Sequence, residues 1–242
     1  MLFVHGAFGS PWMWHRHLMP HLAERGIDSV AIRLPGAGEA HLHLPGPGLS
    51  DYVGALEDTA RIIGRPVLVV GHSLGALVAQ LALGSVAMAG VMLMAPVPPT
   101  GMAFSSLRLA ACAPSLWSST ALTVIDPNLA SSATTRATLF TDSTPEEVVL
   151  EAHRNMLSQP ARPVLEAQWP HFVARAGVSG VPVRVLAAAE DRLIPVDVVE
   201  RVAAHHGCDA QVVAGCGHAL MLDEQWREGA ASLVSFIDEL ED

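Results

Sequence analysis

The chain of 242 residues contains no lysine; all 14 of its basic residues are arginine. That absence removes Schiff-base chemistry, a lysine general base and a lysine phosphate anchor from the available mechanisms. Cysteine is also scarce. Cys112, Cys208 and Cys216 make an odd set without Cys-x-x-Cys spacing, which argues against a disulfide framework or a zinc knuckle. Charged residues are only 16% of the chain, and their balance is acidic, with a formal net charge of -10. A surface of that sign repels phosphates, so nucleic acid is not an expected partner. No basic amphipathic stretch suits an anionic membrane surface, so no stable membrane anchoring is expected. The apolar run Leu2-Phe3-Val4 is too short for the apolar region of a signal peptide and has no basic flank. These absences lead to the expectation of a cytoplasmic protein that needs neither metal nor cofactor.

Apolar residues, by contrast, are abundant at 50%. They suffice for one large domain with a well-buried core. The longest uncharged stretch, from Pro66 to Leu107, is interrupted by glycines, prolines and the polar Gly71-His72-Ser73. It reads as a buried strand, turn, helix and strand rather than a membrane span. Short continuous apolar runs occur at Leu2–His5, Ser29–Arg33, Val67–Val70, Val91–Ala95, Val183–Ala188 and Gln211–Ala214. Continuous runs suit parallel strands covered on both faces. Helical patterns separate them at Trp14–Arg25, Leu49–Ile63, Leu74–Ser85, Asp197–His206 and Glu224–Leu240. The alternation predicts an α/β fold with a doubly wound, mostly parallel sheet.

The rhythm stops between Pro96 and Pro182, where prolines cluster at the edges and no buried strand is evident. Asp142-Ser143-Thr144-Pro145-Glu146-Glu147 reads as a helix start, with a capping residue, a proline and first-turn acids. The expectation is a core built from residues 1–96 and 182–242, with residues 97–181 forming a mostly helical cap. Such a cap would lie at the carboxyl edge of the sheet, where open α/β sheets bind ligands.

The sharpest chemical signal is Gly71-His72-Ser73-Leu74-Gly75. It directly follows the run Val67–Val70 and opens the helical pattern Leu74–Ser85, which is the context that gives a G-x-S-x-G sequence meaning. A sharp strand-to-helix turn would lift the Ser73 hydroxyl above the sheet, while Gly71 and Gly75 keep the turn free of side chains. A serine hydroxyl is a weak nucleophile without a base. Gly215-Cys216-Gly217-His218 follows the last apolar run and supplies a histidine at the expected place. The preceding run ends in Ala189-Glu190-Asp191, which offers an acid to orient that histidine. Asp191 is the first choice and Glu190 the second.

These residues resemble the α/β-hydrolase superfamily over essentially the whole chain. The likeness rests on His5-Gly6, on Leu34-Pro35-Gly36-Ala37-Gly38, on Gly71 to Gly75, on Glu190-Asp191 to Pro195, and on Gly217-His218. It implies an oxyanion hole made by the backbone N–H groups of Ala7 and Leu74. Arg33 and Ala37 stand where that family more often has Asp and His. The chain starts at what resembles the family's third strand, which implies a minimal sheet of about six strands, as in plant methylesterases and hydroxynitrile lyases.

The first reading is therefore a serine esterase acting on a small to medium apolar ester, thioester or lactone, with Ser73, His218 and Asp191 as its triad. Phe8 and His72 are expected to border the substrate pocket, and Trp12 and Trp14 to pack near the oxyanion loop. A second reading is a non-hydrolytic enzyme on the same scaffold, a lyase or a cofactor-free haloperoxidase. The resembling lyases use a lysine after the catalytic histidine, and Ala219 occupies that place. A third reading is a non-catalytic receptor. Seven further histidines (His15, His17 and His21, His41 and His43, His205 and His206) read as solvated rather than metal-binding.

Overall fold

Side chains alternate across a strand, so a strand that is apolar at every position must be covered twice. The computed structural model describes residues 1–39, 46–125 and 127–241. Among them the chain runs β1 (Leu2–Val4), α1 (Trp12–His15), α2 (Leu18–Ala23), β2 (Val30–Ile32), α3 (Leu49–Ile63), β3 (Val67–His72), α4 (Leu74–Leu81) and β4 (Met88–Met94). A helical segment follows: α5 (Ala103–Cys112), α6 (Pro114–Ile125), a 3-10 turn (Pro127–Leu129), α7 (Ser132–Leu139), α8 (Glu146–Arg154), α9 (Ala161–Glu166) and α10 (Ala176–Ser179). The chain then returns to β5 (Val183–Ala188), α11 (Val196–His206), β6 (Ala210–Val213) and α12 (Trp226–Glu241).

The strands form one sheet in the order β2-β1-β3-β4-β5-β6, and every pairing is parallel. Parallel neighbours need a crossover, and each crossover here is helical. Alternate residues divide the core in two. Leu2, Val4, Val67, Val69, Val91, Leu93, Val185 and Ala187 pack with residues of α3, α4 and α11. Phe3, Leu68, Val70, Met92, Met94, Leu186 and Ala188 pack with residues of α1, α2 and α12. Each fully buried aliphatic side chain of this kind contributes about 1.5–3 kcal/mol. The fold is thus the doubly wound parallel sheet that the apolar runs predict.

One expected helix is divided. The pattern Trp14–Arg25 forms α1 and α2, separated where His17 leaves helical geometry at φ -134°. Pro20 gives the reason: inside a continuous helix it lacks the N–H and its ring meets the carbonyl four residues earlier, whereas in the first turn of α2 neither matters. The helix expected over Leu74–Ser85 stops at Leu81, and that expected from Glu224 starts at Trp226. Among the described residues no helix is long and apolar enough to cross a membrane.

Candidate active site

β3 ends in the sequence that turns straight into α4, and the turn is tight for a stated reason. A Cβ on Gly75 would lie 2.4 Å from the Val4 carbonyl oxygen, and one on Gly71 would lie 2.6 Å from the Gly75 carbonyl oxygen. Only glycine lets α4 approach β1 this closely. Between the two glycines Ser73 is held at φ 51° and ψ -116°, a conformation that costs a non-glycine residue about 1–3 kcal/mol. Backbone bonds hold it there: the Ser73 N–H donates to Met94 O at 3.0 Å, and its carbonyl accepts from the N–H groups of Ala76 and Val97. Strain backed by such bonds places the serine at the head of the helix and on the wall of a cavity.

His218 lies on the wall of the same cavity, in the turn after β6. Its Nδ1 is 2.6 Å from Asp191 Oδ2, and both side chains are buried. With Asp191 ionised, Nδ1 carries the proton and donates it to the carboxylate, which leaves the Nε2 lone pair free. The other oxygen, Oδ1, accepts the N–H groups of Leu193 and Ile194 at 2.8 and 2.9 Å, fixing the carboxylate from behind. Asp191 is therefore the acid that meets His218. The Glu190 side chain is exposed, and its N–H instead donates to Cys216 O.

The loop that carries His218 is fastened residue by residue. Cys216 O is held by Glu190, the Gly217 N–H by Asp223 Oδ2, His218 O by His72 Nε2 at 2.9 Å, and the Ala219 N–H by Leu139 O at the end of α7. His72 donates from Nε2, so its Nδ1 is unprotonated. Burial, reinforced by the neighbouring His218, holds its pKa well below the ordinary histidine range. His72 lines the cavity and also ties the elbow to the loop of His218.

The loop after β1 faces the elbow. Among the described residues the N–H groups of Ala7 and Leu74 have no acceptor. Phe8 differs. Its φ is 57°, its N–H donates to Gln159 Oε1 at 2.8 Å, and its carbonyl accepts from the Leu157 N–H. The Phe8 N–H is therefore occupied, while its side chain lines the cavity. His5 sets the base of this loop. Its Nδ1 donates to Gly6 O, and its Nε2 accepts the Leu34 N–H at 3.2 Å. A proton on Nε2 would oppose that N–H, and burial already lowers the His5 pKa to about 4. Arg33 donates to Ala37 O, so the residues that depart from the family pattern stabilise their own turn.

The cavity measures about 460 Å³. Its floor is the elbow, the Ala7–Ser10 loop and His218. Most of the rest of its lining comes from the helical segment, among it Leu109, Trp117, Val124, Leu139, Met156 and Leu165. No arginine, aspartate or glutamate lines it among the described residues.

Several expectations need correction. Trp14 is fully buried and stacks on Phe3, as a packing residue should, while Trp12 packs against the same core and also lines the cavity. His17 and His21 are partly exposed but also stack on and edge against Trp226 at 4.7 and 5.6 Å. His206 is buried against Gln80, and His205 bonds Val173 O. His41 and His43 lie outside the described residues. Among the described residues no cluster of three or more His, Cys, Asp or Glu is arranged to hold a metal. Gln159 and Asp223 had no motif to mark them. The faint signal for Asp223 was an acid just before the last helical pattern.

A sequence profile described as the alpha/beta hydrolase family matches residues 1–232. No functionally curated protein matches the chain in sequence. Solved structures with a similar fold include a thermophilic esterase from Thermogutta terrifontis. It is 18% identical, with a TM-score of 0.72 over 100% of this chain and 90% of that one. Polyneuridine aldehyde esterase is 19% identical, with a TM-score of 0.72 over 97% and 98% of the two chains. A methylesterase from Arabidopsis is 17% identical, with a TM-score of 0.71 over 98% and 99%.

Proposed function

The chain belongs to the alpha/beta hydrolase family, and from that premise we propose that it is a serine hydrolase that cleaves an uncharged carboxylic ester through an acyl-enzyme. The observation that carries the proposal is the strained Ser73 sharing one cavity with the buried His218–Asp191 pair. In this mechanism Ser73 Oγ adds to the ester carbonyl carbon while His218 Nε2 takes its proton. The carbonyl oxygen becomes an oxyanion and accepts the N–H groups of Ala7 and Leu74. Preorganised donors of this type lower a barrier by about 3–4 kcal/mol each. Collapse of the intermediate breaks the bond to the alcohol, which leaves with the proton held by His218. Water then adds in the same way and frees the acid. Asp191 keeps the imidazole in the required tautomer and stabilises its cation in both halves.

The walls suggest the substrate. An uncharged, mostly apolar lining favours an apolar acyl or alcohol group and offers no counter-charge to a carboxylate or phosphate. Cavities of about 300–1,000 Å³ suit ligands of ordinary small-molecule size. We propose that the helical segment 97–181 acts as the cap that selects the ester. The loop of His218 bears Ala219 rather than a lysine, which continues to disfavour a cyanohydrin lyase.

The test is turnover of p-nitrophenyl esters of increasing chain length, with thioesters and lactones beside them, by the intact protein and by Ser73→Ala. The expected result is ester turnover by the parent and a loss of at least about 10⁴-fold in the variant with its melting temperature retained. Full activity in Ser73→Ala would exclude the mechanism. Rapid labelling of Ser73 by a fluorophosphonate without turnover of any ester would favour a non-hydrolytic enzyme.

A further inference from the structure

Of the acidic residues described, only Asp191 and Asp223 are buried. Asp191 meets His218. Asp223, five residues beyond His218 along the same turn, is 0% exposed and, among the described residues, meets no cation. A carboxylate so placed is costly unless donors surround it. Three neutral donors do so, and they come from separate places in the chain. Asp223 Oδ2 accepts the Gly217 N–H at 2.8 Å, and Oδ1 accepts the Glu224 N–H at 2.9 Å and the Thr144 hydroxyl at 2.7 Å.

The direction of these bonds is fixed by proton count. Thr144 has one hydroxyl proton and gives it to the carboxylate. In its 3.1 Å contact with Thr141 it must therefore accept, and Thr141 in turn accepts from Ser143 at 2.8 Å. A one-way chain thus runs from Ser143 through Thr141 and Thr144 to Asp223, each bond polarising the next. Arg136 holds the start of the chain in place by donating to the carbonyls of Thr141 and Thr144. Capping the turn before α12 accounts for the Glu224 bond alone. It does not account for a bond to the residue preceding His218, or for one to a buried hydroxyl in the 97–181 segment. The charge is also felt in the loop: burial and then Asp223 push the Cys216 thiol above its ordinary range.

We propose that Asp223 is a positioning residue for the His218 base, and that Thr144 completes it, so that the helical segment over the cavity helps set the geometry of proton transfer. This rests on the reading of His218 as the base. Gly217 is pinned immediately before the imidazole, so a change at Asp223 tilts the peptide that carries it. The effect falls on the chemical step and leaves ester binding, which is made by the cavity walls, nearly unchanged.

The test compares Asp223→Asn, Thr144→Val, Thr144→Ser and His218→Gln for kcat and KM on the best p-nitrophenyl ester, for the rate of fluorophosphonate labelling of Ser73, and for melting temperature. Asp223→Asn keeps the shape but turns an NH₂ toward one of the donors. It should lower kcat and the labelling rate at least tenfold, with KM within threefold of the parent. Thr144→Val should move kcat the same way by a smaller factor. Thr144→Ser, which restores the hydroxyl, should recover most of that loss. A folded Asp223→Asn with kcat within twofold of the parent overturns the proposal, as does a rise in KM at constant kcat. If Asp223→Asn does not fold, unchanged kcat in folded Thr144→Val overturns it. His218→Gln separates the two levels. Its inactivity beside fully active Asp223 and Thr144 variants sinks the positioning role alone, and its full activity sinks the base and the positioning role together.

Discussion

α4 and α5 have similar lengths and opposite fates. The elbow helix α4 buries seven of its eight residues, whereas α5, which opens the helical segment, buries none of its ten. The contrast extends to the whole of the two regions. Twelve large apolar side chains stand exposed among the described residues, and nine of them, including Phe104, Leu107, Trp169 and Phe172, belong to residues 97–181. The sheet and its flanking helices are held by continuous burial. The helical segment lends fewer residues to that burial, among them Phe140, Val149, Ala152, Ala167 and Val173, and meets the loops of His218 and Phe8 through directed bonds: Leu139 to Ala219, Thr144 to Asp223, and Leu157 and Gln159 to Phe8. Two kinds of attachment imply two kinds of response to change, stability in the first region and selectivity in the second.

The largest effect is expected where the first region leaves no room. Gly75→Val places a side chain against the backbone oxygens of Val4 and His5, 2.4 and 2.5 Å from where its Cβ must lie. Backbone cannot yield as a side-chain tip does, so the variant should lose well over about 3 kcal/mol and fail to give a cooperative melt. A stable, active Gly75→Val would show that α4 and β1 separate more easily than their packing implies.

Acid should act on the same region. Burial lowers the pKa of His5 and of His206 to about 4, from an unfolded value near 6.5, and lowers that of His72 as well. Between about pH 6.5 and 4 the unfolded chain binds protons that the folded chain refuses, so stability must fall as pH falls through that window. For His5 alone the full loss is on the order of 3 kcal/mol. Denaturant melts at pH 7, 5.5 and 4 measure it, and His5→Gln should flatten the profile. Equal stability at pH 7 and pH 4 would contradict the neutral burial of these rings.

The second region should respond more gently. Trp117 is on the cavity wall and still 43% exposed. Trp117→Ala should enlarge the cavity and shift the preferred acyl or alcohol length by a few atoms, changing relative kcat/KM between short and long esters about tenfold, with a melting point near the parent's. An unchanged chain-length profile would remove the selecting role from this wall. Smallest of all, amide exchange should distinguish the two helices with no mutation. Amides of α5 should exchange orders of magnitude faster than those of α4, because opening α5 exposes little that is not exposed already. Equal protection would mean that α5 is covered by something else in solution.

The same division separates what was legible in the sequence from what was not. Continuous apolar runs announced strands covered on both faces, and Gly71-His72-Ser73-Leu74-Gly75 announced the elbow, because local pattern and tertiary burial agree there. His218 and Asp191 were found by their order after the last two runs. Phe8 and Gln159 show where local reading stops. Nothing near Phe8 in sequence tells that a side-chain amide 151 residues away takes its N–H.

The sequence alone therefore determined the parallel sheet, the strained serine between two glycines and the histidine that shares its cavity. These follow from periodicity, steric demand and chain order, which act over a few residues at a time. Only the tertiary structure settled Asp191 over Glu190, where Trp12, His17 and His206 come to rest, and how Thr144 and Gln159 reach the loops of His218 and Phe8. Those choices are made by single hydrogen bonds and ring contacts between residues far apart in the chain, which leave no periodic trace in the order of amino acids.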